Sequence, residues 1–362
     1  MRAIFACGGT GGHIMPALAI ADEVKKREPE SDILFIGAGG MENEIVGHAG
    51  YEIRSLCLSG LSRSSPAKAL RALRQSQEGK REAARILSDF RPDIVIGTGG
   101  YACYPALSAA ARLKIPTAVH ESNAIPGLAV RVLSHRVSRI WLNFEEAGRH
   151  LPKNKIRVVG NPVRVLRTEK KALRVSGTKR VLSFGGSLGA DALNAAVLQL
   201  MKAEEKRGDI CHLHATGKRN YPSFLSDFQS VGLEKNRRLS VRAFIENMPE
   251  EMARADLLIC RSGAMSISEA AALGKPAILI PSPNVAGDHQ TKNARALEAA
   301  GAAVLLPESE LTGESLTKVV FELLDSREKR AALSENIRRF DRPDAGASVY
   351  GDMLLLISVK KR

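Results

Sequence analysis

The sequence predicts a doubly wound α/β chain built from two Rossmann-like domains, each a parallel sheet covered by helices. Three observations predict this. Short β-rich apolar runs alternate with longer helical patterns. The runs are apolar throughout rather than alternating, as strands buried on both faces read. The pattern then restarts near mid-chain, and 362 residues suit two domains.

Taken in order, strands are expected at Arg2–Cys7, Asp32–Gly37, Glu52–Cys57, Pro92–Gly97, Thr117–His120, Arg139–Leu142 and Ile156–Gly160. Helices fall between them, among them His13–Arg27 and Pro66–Phe90. From Val163 to Thr178 the chain turns basic and polar, so the domain boundary is placed at 161–178. Strands resume at Lys179–Ser183, Ile210–Ala215, Leu239–Phe244, Asp256–Cys260, Pro276–Ile280 and Ala303–Leu306, with a long helix ending about Arg207. Helices at about 312–324, 327–340 and 344–358 close the chain. The resulting division is 1–161, 162–345 and a terminal helix 346–362 that can pack back toward the first domain. The halves echo one another: 92–121 and 255–281 are each an Asp-led strand, a glycine loop, a small-residue helix and an x-Pro strand start. Two such domains facing each other would leave a cleft at the carboxyl ends of both sheets, where open α/β sheets bind ligands.

Composition narrows the function. Apolar residues at 44% and charged residues at 25% are globular values. The net charge of +14 favours a polyanionic partner: nucleic acid, an anionic membrane or a phosphorylated substrate. Residues 1–160 hold 22 basic and 15 acidic groups, so the excess is +7 in each half and not a tail. Aromatic residues are only 4% and no RNP-like cluster or helix-turn-helix is evident, which disfavours nucleic acid. Five scattered cysteines without C-x-x-C argue for a reducing cytoplasm and against a disulfide framework or zinc ribbon. The start MRAIFACGGTGG lacks a signal-peptide pattern. The 18-residue uncharged run Ile94–Ala111 contains Gly97, Gly99, Gly100 and Pro105, so it reads as strand, loop and helix, not a membrane span.

Glycine loops carry the chemistry. GGTGGH (8–13) joins the first strand to the first helix, where free N–H groups and the helix dipole make an anion site. It is neither G-x-G-x-x-G nor a Walker loop, and no acid ends the second strand, so a dinucleotide or ordinary NTPase site is disfavoured. A plain tight turn is the alternative. His13 at a helix start favours the neutral imidazole, which suits a general base; a capping or merely exposed histidine is the alternative. GGSLGA (185–190) repeats the device, with Ser187 able to meet a phosphate. RSGAMSISE (261–269) would supply a third helix N-terminus, and Glu269 either takes a ribose diol or closes a capping box with Ser266. TGGYACYP (98–105), HESN (120–123), GNPVR (160–164) and DHQTKNA (288–294) add polar loops at the same sheet ends. Arg164 could reach a phosphate. His212 and His214 share a strand face without a third ligand in reach, so no metal site is expected, and no acidic pair stands out for a metal–diphosphate complex. The helix 66–90 carries Lys68, Arg71, Arg74, Lys80, Arg81 and Arg85 among Leu70, Leu73, Ile86, Leu87 and Phe90, which reads either as a lipid-facing helix or as a solvated basic face.

Together these motifs resemble the MurG family over about residues 2–345. Their order and spacing make the resemblance specific where any one motif would not be. It implies the GT-B fold and an inverting transfer of GlcNAc from UDP-GlcNAc to the C4 hydroxyl of MurNAc in lipid I, giving lipid II and UDP. It implies an acceptor- and membrane-facing first domain and a UDP-GlcNAc-binding second domain. It places Thr10, Gly11, Gly12, Asn123, Arg164, Ser187, the Ile245 backbone, Gly263, Ala264, Met265, Ser266, Glu269 and Gln290 at the donor, and matches His13 to the proposed base. Thr98, Gly99, Gly100, Tyr101 and Glu121 become candidates for the acceptor or its diphosphate. It further implies no cofactor or metal, a peripheral site on the cytoplasmic face of the inner membrane, and cell-wall synthesis and division proteins as partners. Ser122 stands where the family usually has Gln, and Met15 where it often has an aromatic residue. A related transferase acting on diacylglycerol and a UDP-GlcNAc 2-epimerase are the competing enzyme readings.

Overall fold

The computed structural model describes residues 1–56, 66–164, 177–186, 189–285 and 288–360, of which 66–76 are described in backbone only. The chain forms two compact units, Met1–Arg164 with Arg342–Arg362, and Val165–Asp341.

The first unit contains β1 (Arg2–Ala6), α1 (Gly11–Arg27), β2 (Asp32–Gly37), α2 (Met41–His48), β3 (Glu52–Ser55), α3 (Pro66–Phe90) and β4 (Ile94–Gly97). It continues with α4 (Cys103–Arg112), β5 (Thr117–Glu121), α5 (Leu128–Leu133), β6 (Arg139–Leu142) and β7 (Ile156–Val158). The strands form one parallel sheet in the order β3-β2-β1-β4-β5-β6-β7. Strands β4 and β5 are buried at every position. That is why their sequences lack alternation: helices cover both faces. The uncharged run from Ile94 divides into β4, a glycine loop and α4.

The sheet order reverses direction between β1 and β4, which pair from Ala3 with Ile94 to Ala6 with Gly97. The loops after these two strands therefore emerge side by side at the carboxyl end, the switch point of an open α/β sheet. Helix α1 begins two residues earlier than the sequence suggests, because Gly11 and Gly12 form its first turn.

The final helix, α13 (Ala345–Lys360), belongs to this unit and packs on α1. Val349 and Met353 enter the core beside Phe5 and Trp141. Asp352 is fully buried, accepts a 2.8 Å hydrogen bond from Trp141 Nε1 and forms 2.9 Å ion pairs with Arg139 and Arg157. The long sequence separation of these partners makes α13 a strap on the first unit.

The second unit contains β8 (Lys179–Phe184), α6 (Asp191–Arg207), β9 (Ile210–Ala215), α7 (Tyr221–Ser230), β10 (Leu239–Arg242), α8 (Met248–Arg254) and β11 (Leu257–Cys260). It ends with α9 (Ala264–Leu273), β12 (Ala277–Leu279), α10 (His289–Ala299), β13 (Val304–Leu305), α11 (Gly313–Asp325) and α12 (Arg327–Arg338). Its parallel sheet runs β10-β9-β8-β11-β12-β13, so the switch point lies between β8 and β11. The loops holding GGSLGA and RSG leave the sheet there. His212 and His214 sit in the core: Glu204 Oε2 lies 2.7 Å from His212 Nδ1, and Ser183 Oγ lies 2.7 Å from both His212 Nε2 and His214 Nδ1. Burial pushes the His214 imidazole down to about 3, which keeps it neutral.

Candidate active site

In the first unit, GGTGGH and TGGY pack against each other. The backbone of Gly8 is so close to Gly100 that a Cβ there would lie 2.7 Å from the Gly8 carbonyl carbon. Gly99 underlies the His13 ring: a Cβ would stand 2.8 Å from Nε2 and 3.0 Å from Cγ. These glycines exist because two loops and a ring share one small volume. Thr98 is buried and donates a 2.6 Å hydrogen bond to the His13 carbonyl. Its hydroxyl thus braces the helix start. Tyr101, by contrast, is exposed.

His13 is half-buried, and its Nδ1 lies 3.1 Å from the Gly8 carbonyl oxygen. A carbonyl only accepts, so Nδ1 carries a proton, and in the neutral form of the ring the lone pair is then on Nε2. Thr10 is the N-cap of α1 in extended conformation, and no side chain caps the helix. Thr10, Gly11 and Gly12 therefore stand at the uncapped, positive end of a 17-residue helix.

Behind this loop sits Glu42, an acid that the motif reading did not single out. It is fully buried on α2, and its carboxylate accepts from the N–H groups of Ala38 at 2.7 Å, Gly40 at 3.0 Å and Gly9 at 3.2 Å. Burial pushes its pKa up, but the main-chain donors outweigh that and hold it below the usual carboxylate range.

The segment after β5 is organised by Glu121. This buried carboxylate accepts from the Asn123 amide at 3.0 Å, Asn123 Nδ2 at 3.1 Å and the Gly127 amide at 2.7 Å. Both of its oxygens accept from its own loop, so it orients Asn123. His120 Nε2 donates to the Gly160 carbonyl at 3.0 Å, and burial lowers its pKa to about 4. Ser122, the departure from the family pattern, is buried and donates to Asn161 Oδ1 at 3.0 Å. The HESN and GNPVR motifs thus hold each other. Arg164 forms a 2.7 Å ion pair with Asp22, which also accepts from Tyr51 at 2.7 Å.

In the second unit, Gly263 is the N-cap of α9, with no side-chain cap and no atom within 4 Å of a would-be Cβ. Ala264, Met265 and Ser266 form the first turn behind it. Ser266 is therefore the third helical residue, not the cap, and the capping-box alternative for Glu269 falls away. Glu269 is buried one turn further on, and burial raises its pKa to about 7. Among the described residues nothing hydrogen-bonds its carboxylate. Ile245 has a buried side chain in the loop after β10. Gln290 accepts from the Ser282 amide at 2.9 Å through Oε1, and its carbonyl accepts from Ser262 Oγ at 2.9 Å. Arg261, missed as a scaffold from sequence, donates to the Ile280 and Pro281 carbonyls at 3.2 and 3.0 Å and pairs with Glu308. Ser187 lies outside the described residues. Among those described, no group of three or more His, Cys, Asp or Glu is placed to hold a metal ion.

Two family models match this arrangement: the glycosyltransferase family 28 N-terminal domain over residues 3–142 and its C-terminal domain over 180–347. Two relatives named UDP-N-acetylglucosamine--N-acetylmuramyl-(pentapeptide) pyrophosphoryl-undecaprenol N-acetylglucosamine transferase match nearly end to end. That from Acetivibrio thermocellus is 40% identical over 97% of this chain and 96% of its own. That from Thermoanaerobacter sp. (strain X514) is 38% identical over 97% and 98%. The chain belongs to the MurG family.

Among solved structures, the MurG of Acinetobacter baumannii superposes with a TM-score of 0.72 at 27% identity, covering 98% of this chain and 99% of that one. A UDP-GlcNAc 2-epimerase from Neisseria meningitidis matches at TM-score 0.68 and 16% identity over 98% and 100%, which shows shared fold alone. The fold is thus GT-B; GGTGGH with TGGY and GGSLGA with RSG follow the switch-point strands of the two sheets, HESN ends β5, and GNPVR and DHQTKNA follow β7 and β12. The two acids that look most alike in those motifs differ: Glu121 accepts from its own loop, whereas the buried Glu269 has no hydrogen-bond donor among the described residues.

Helix α3 adds one correction. Its described apolar residues Ile86 and Leu87 are buried in the core against α4, so they do not face lipid. Arg81 and Arg85 are exposed. Leu70, Leu73, Lys68, Arg71 and Arg74 lie outside the described side chains. Among the described residues no helix is long and apolar enough to cross a membrane.

Proposed function

We propose that this chain performs the MurG reaction, moving GlcNAc from UDP-GlcNAc to the C4 hydroxyl of MurNAc in lipid I with inversion, with His13 as base. The observation that carries the proposal is Glu269 in the second unit, buried one turn beyond the uncapped start of α9 with no hydrogen-bond donor to its carboxylate among the described residues. In the second unit Glu269 accepts the two ribose hydroxyls, whose donation replaces the hydration its carboxylate lacks. Gly263 to Ser266 and Ser187 receive the diphosphate at helix and loop N–H groups, while the Ile245 backbone meets the uracil. Gln290, Asn123 and Arg164 complete the donor contacts.

In the first unit Nε2 of His13 takes the proton of the attacking C4 hydroxyl as the bond to the anomeric carbon forms and the UDP bond breaks. A single displacement needs one base and not a carboxylate pair. Charge developing on UDP is met by helix N-termini and Arg164, so the transfer runs without a metal. Thr10, Gly11, Gly12 and Tyr101 lie beside the reacting groups.

The enzyme works at the cytoplasmic face of the inner membrane. Exposed Leu113 just past α4, exposed Leu128, Arg131 and Val132 on α5, and exposed Arg81 and Arg85 on α3 support that reading. Binding to phosphatidylglycerol vesicles but not phosphatidylcholine, weakened by joint Arg81→Glu and Arg85→Glu, tests the location. For the chemistry, His13→Gln is expected to lower kcat by about 10²–10⁴ with UDP-GlcNAc affinity retained. An active His13→Gln enzyme would place the base elsewhere.

A further inference from the structure

The Gly8–Gly9 peptide unit is gripped from both ends. Its carbonyl, on Gly8, accepts from His13 Nδ1 at 3.1 Å. Its N–H, on Gly9, donates to Glu42 Oε2 at 3.2 Å. Glu42 is fully buried, and among the described residues no cation pairs with it; main-chain N–H groups alone neutralise it. The surrounding backbone is shaped to admit this carboxylate. A Cβ on Gly37 would lie 2.7 Å from Glu42 Cγ, one on Gly40 2.8 Å from Oε2, and one on Gly8 3.0 Å from Oε1. Three glycines, one ending β2 and two in loops, thus make room for one acid.

We propose that Glu42 is a positioning residue for the transfer, acting on His13 through the Gly8–Gly9 peptide. A carboxylate accepting from an amide N–H polarises that amide and makes its carbonyl a stronger acceptor. The stronger carbonyl holds the proton on Nδ1 and keeps the lone pair on Nε2. It also fixes the plane of the ring. The arrangement does what a carboxylate bonded directly to Nδ1 does in a hydrolase triad, with one peptide unit interposed. It also assigns the Gly9 N–H to Glu42, so the anion-facing donors of this loop begin after Gly9. The effect on turnover rests on His13 being the base; the effect on the tautomer does not.

The test uses the full chain labelled with ¹⁵N-histidine, with His13→Gln to assign the His13 signals. Wild-type His13 is expected as the Nδ1–H tautomer. A wild-type Nε2–H tautomer overturns the proposal without need of any other variant. In Glu42→Gln, which preserves shape but not charge, a tautomer mixture is expected. The kcat should fall about ten- to a hundredfold with the KM for UDP-GlcNAc within threefold, a split that general loosening of the fold would not give. An unchanged tautomer and kcat in a folded Glu42→Gln protein would equally overturn it. If His13→Gln proves fully active, the base assignment fails, and the tautomer still decides the role of Glu42.

Discussion

Replacing Gly99 by Ala asks whether the position of the His13 ring limits turnover. The new methyl would sit 2.8 Å from Nε2 and 3.0 Å from Cγ, where van der Waals contact needs about 3.5 Å. The ring must therefore retreat by roughly 0.7–1 Å from its present position. A displacement of about 1 Å in a reacting group costs on the order of a hundredfold in rate, or about 2.7 kcal/mol of barrier. Gly99 also has φ +115°, so alanine there adds about 1–3 kcal/mol of backbone strain and lowers the melting temperature by several degrees. Steady-state kinetics with a lipid I analogue would read the rate. Calorimetric titration with UDP-GlcNAc would read donor binding, most of whose proposed contacts lie in the second unit, and the affinity should fall far less than the rate. A folded Gly99→Ala enzyme with kcat within threefold of wild type would refute the reasoning.

Four further outcomes follow from the structure. With a Glu269 pKa near 7, UDP-GlcNAc affinity should rise about tenfold from pH 6 to pH 8 as the carboxylate ionises, and Glu269→Gln should bind weakly with that dependence lost in calorimetry. The linked stability runs the other way: the folded state holds this proton above the unfolded pKa, so a chemical-denaturation series should show the Glu269 contribution falling as pH rises from about 4.5 to 7. Gly263→Ala meets no atom within 4 Å, so its melting temperature should stay close to wild type while its KM for UDP-GlcNAc rises; an unchanged KM would remove the diphosphate from this turn. Asp352→Ala leaves Trp141 and two arginines without their buried partner, and should lose about 3 kcal/mol in urea unfolding; a loss under 1 kcal/mol would mean that α13 is held by apolar packing alone.

Much of this was legible in the sequence because buried parallel strands and glycine loops are local signals. Runs such as IVIG and LLIC need no partner to be read as strands covered on both faces. Strand order was not legible, and strand order is what sets the β1 and β4 loops side by side. Roles within motifs were also out of reach. The sequence does not say that Thr98 braces the His13 carbonyl or that Glu121 holds its own loop. Glu42 was invisible because its partners are main-chain N–H groups, which no residue code records. The GAGGME segment does carry a hint: an acid two residues past a glycine pair at a helix start. Ile86 and Leu87 misled for the opposite reason, since apolar residues on a basic helix fit a core or a bilayer equally until α4 is seen against them.

The most direct measurement of the central claim is transfer of radiolabel from UDP-GlcNAc to a lipid I analogue by the purified chain, with and without EDTA. The account predicts a labelled disaccharide lipid and one UDP per transfer, unchanged by EDTA and lost in His13→Gln. Label recovered only as UDP-linked ManNAc, or moved to diacylglycerol but not to lipid I, would contradict it.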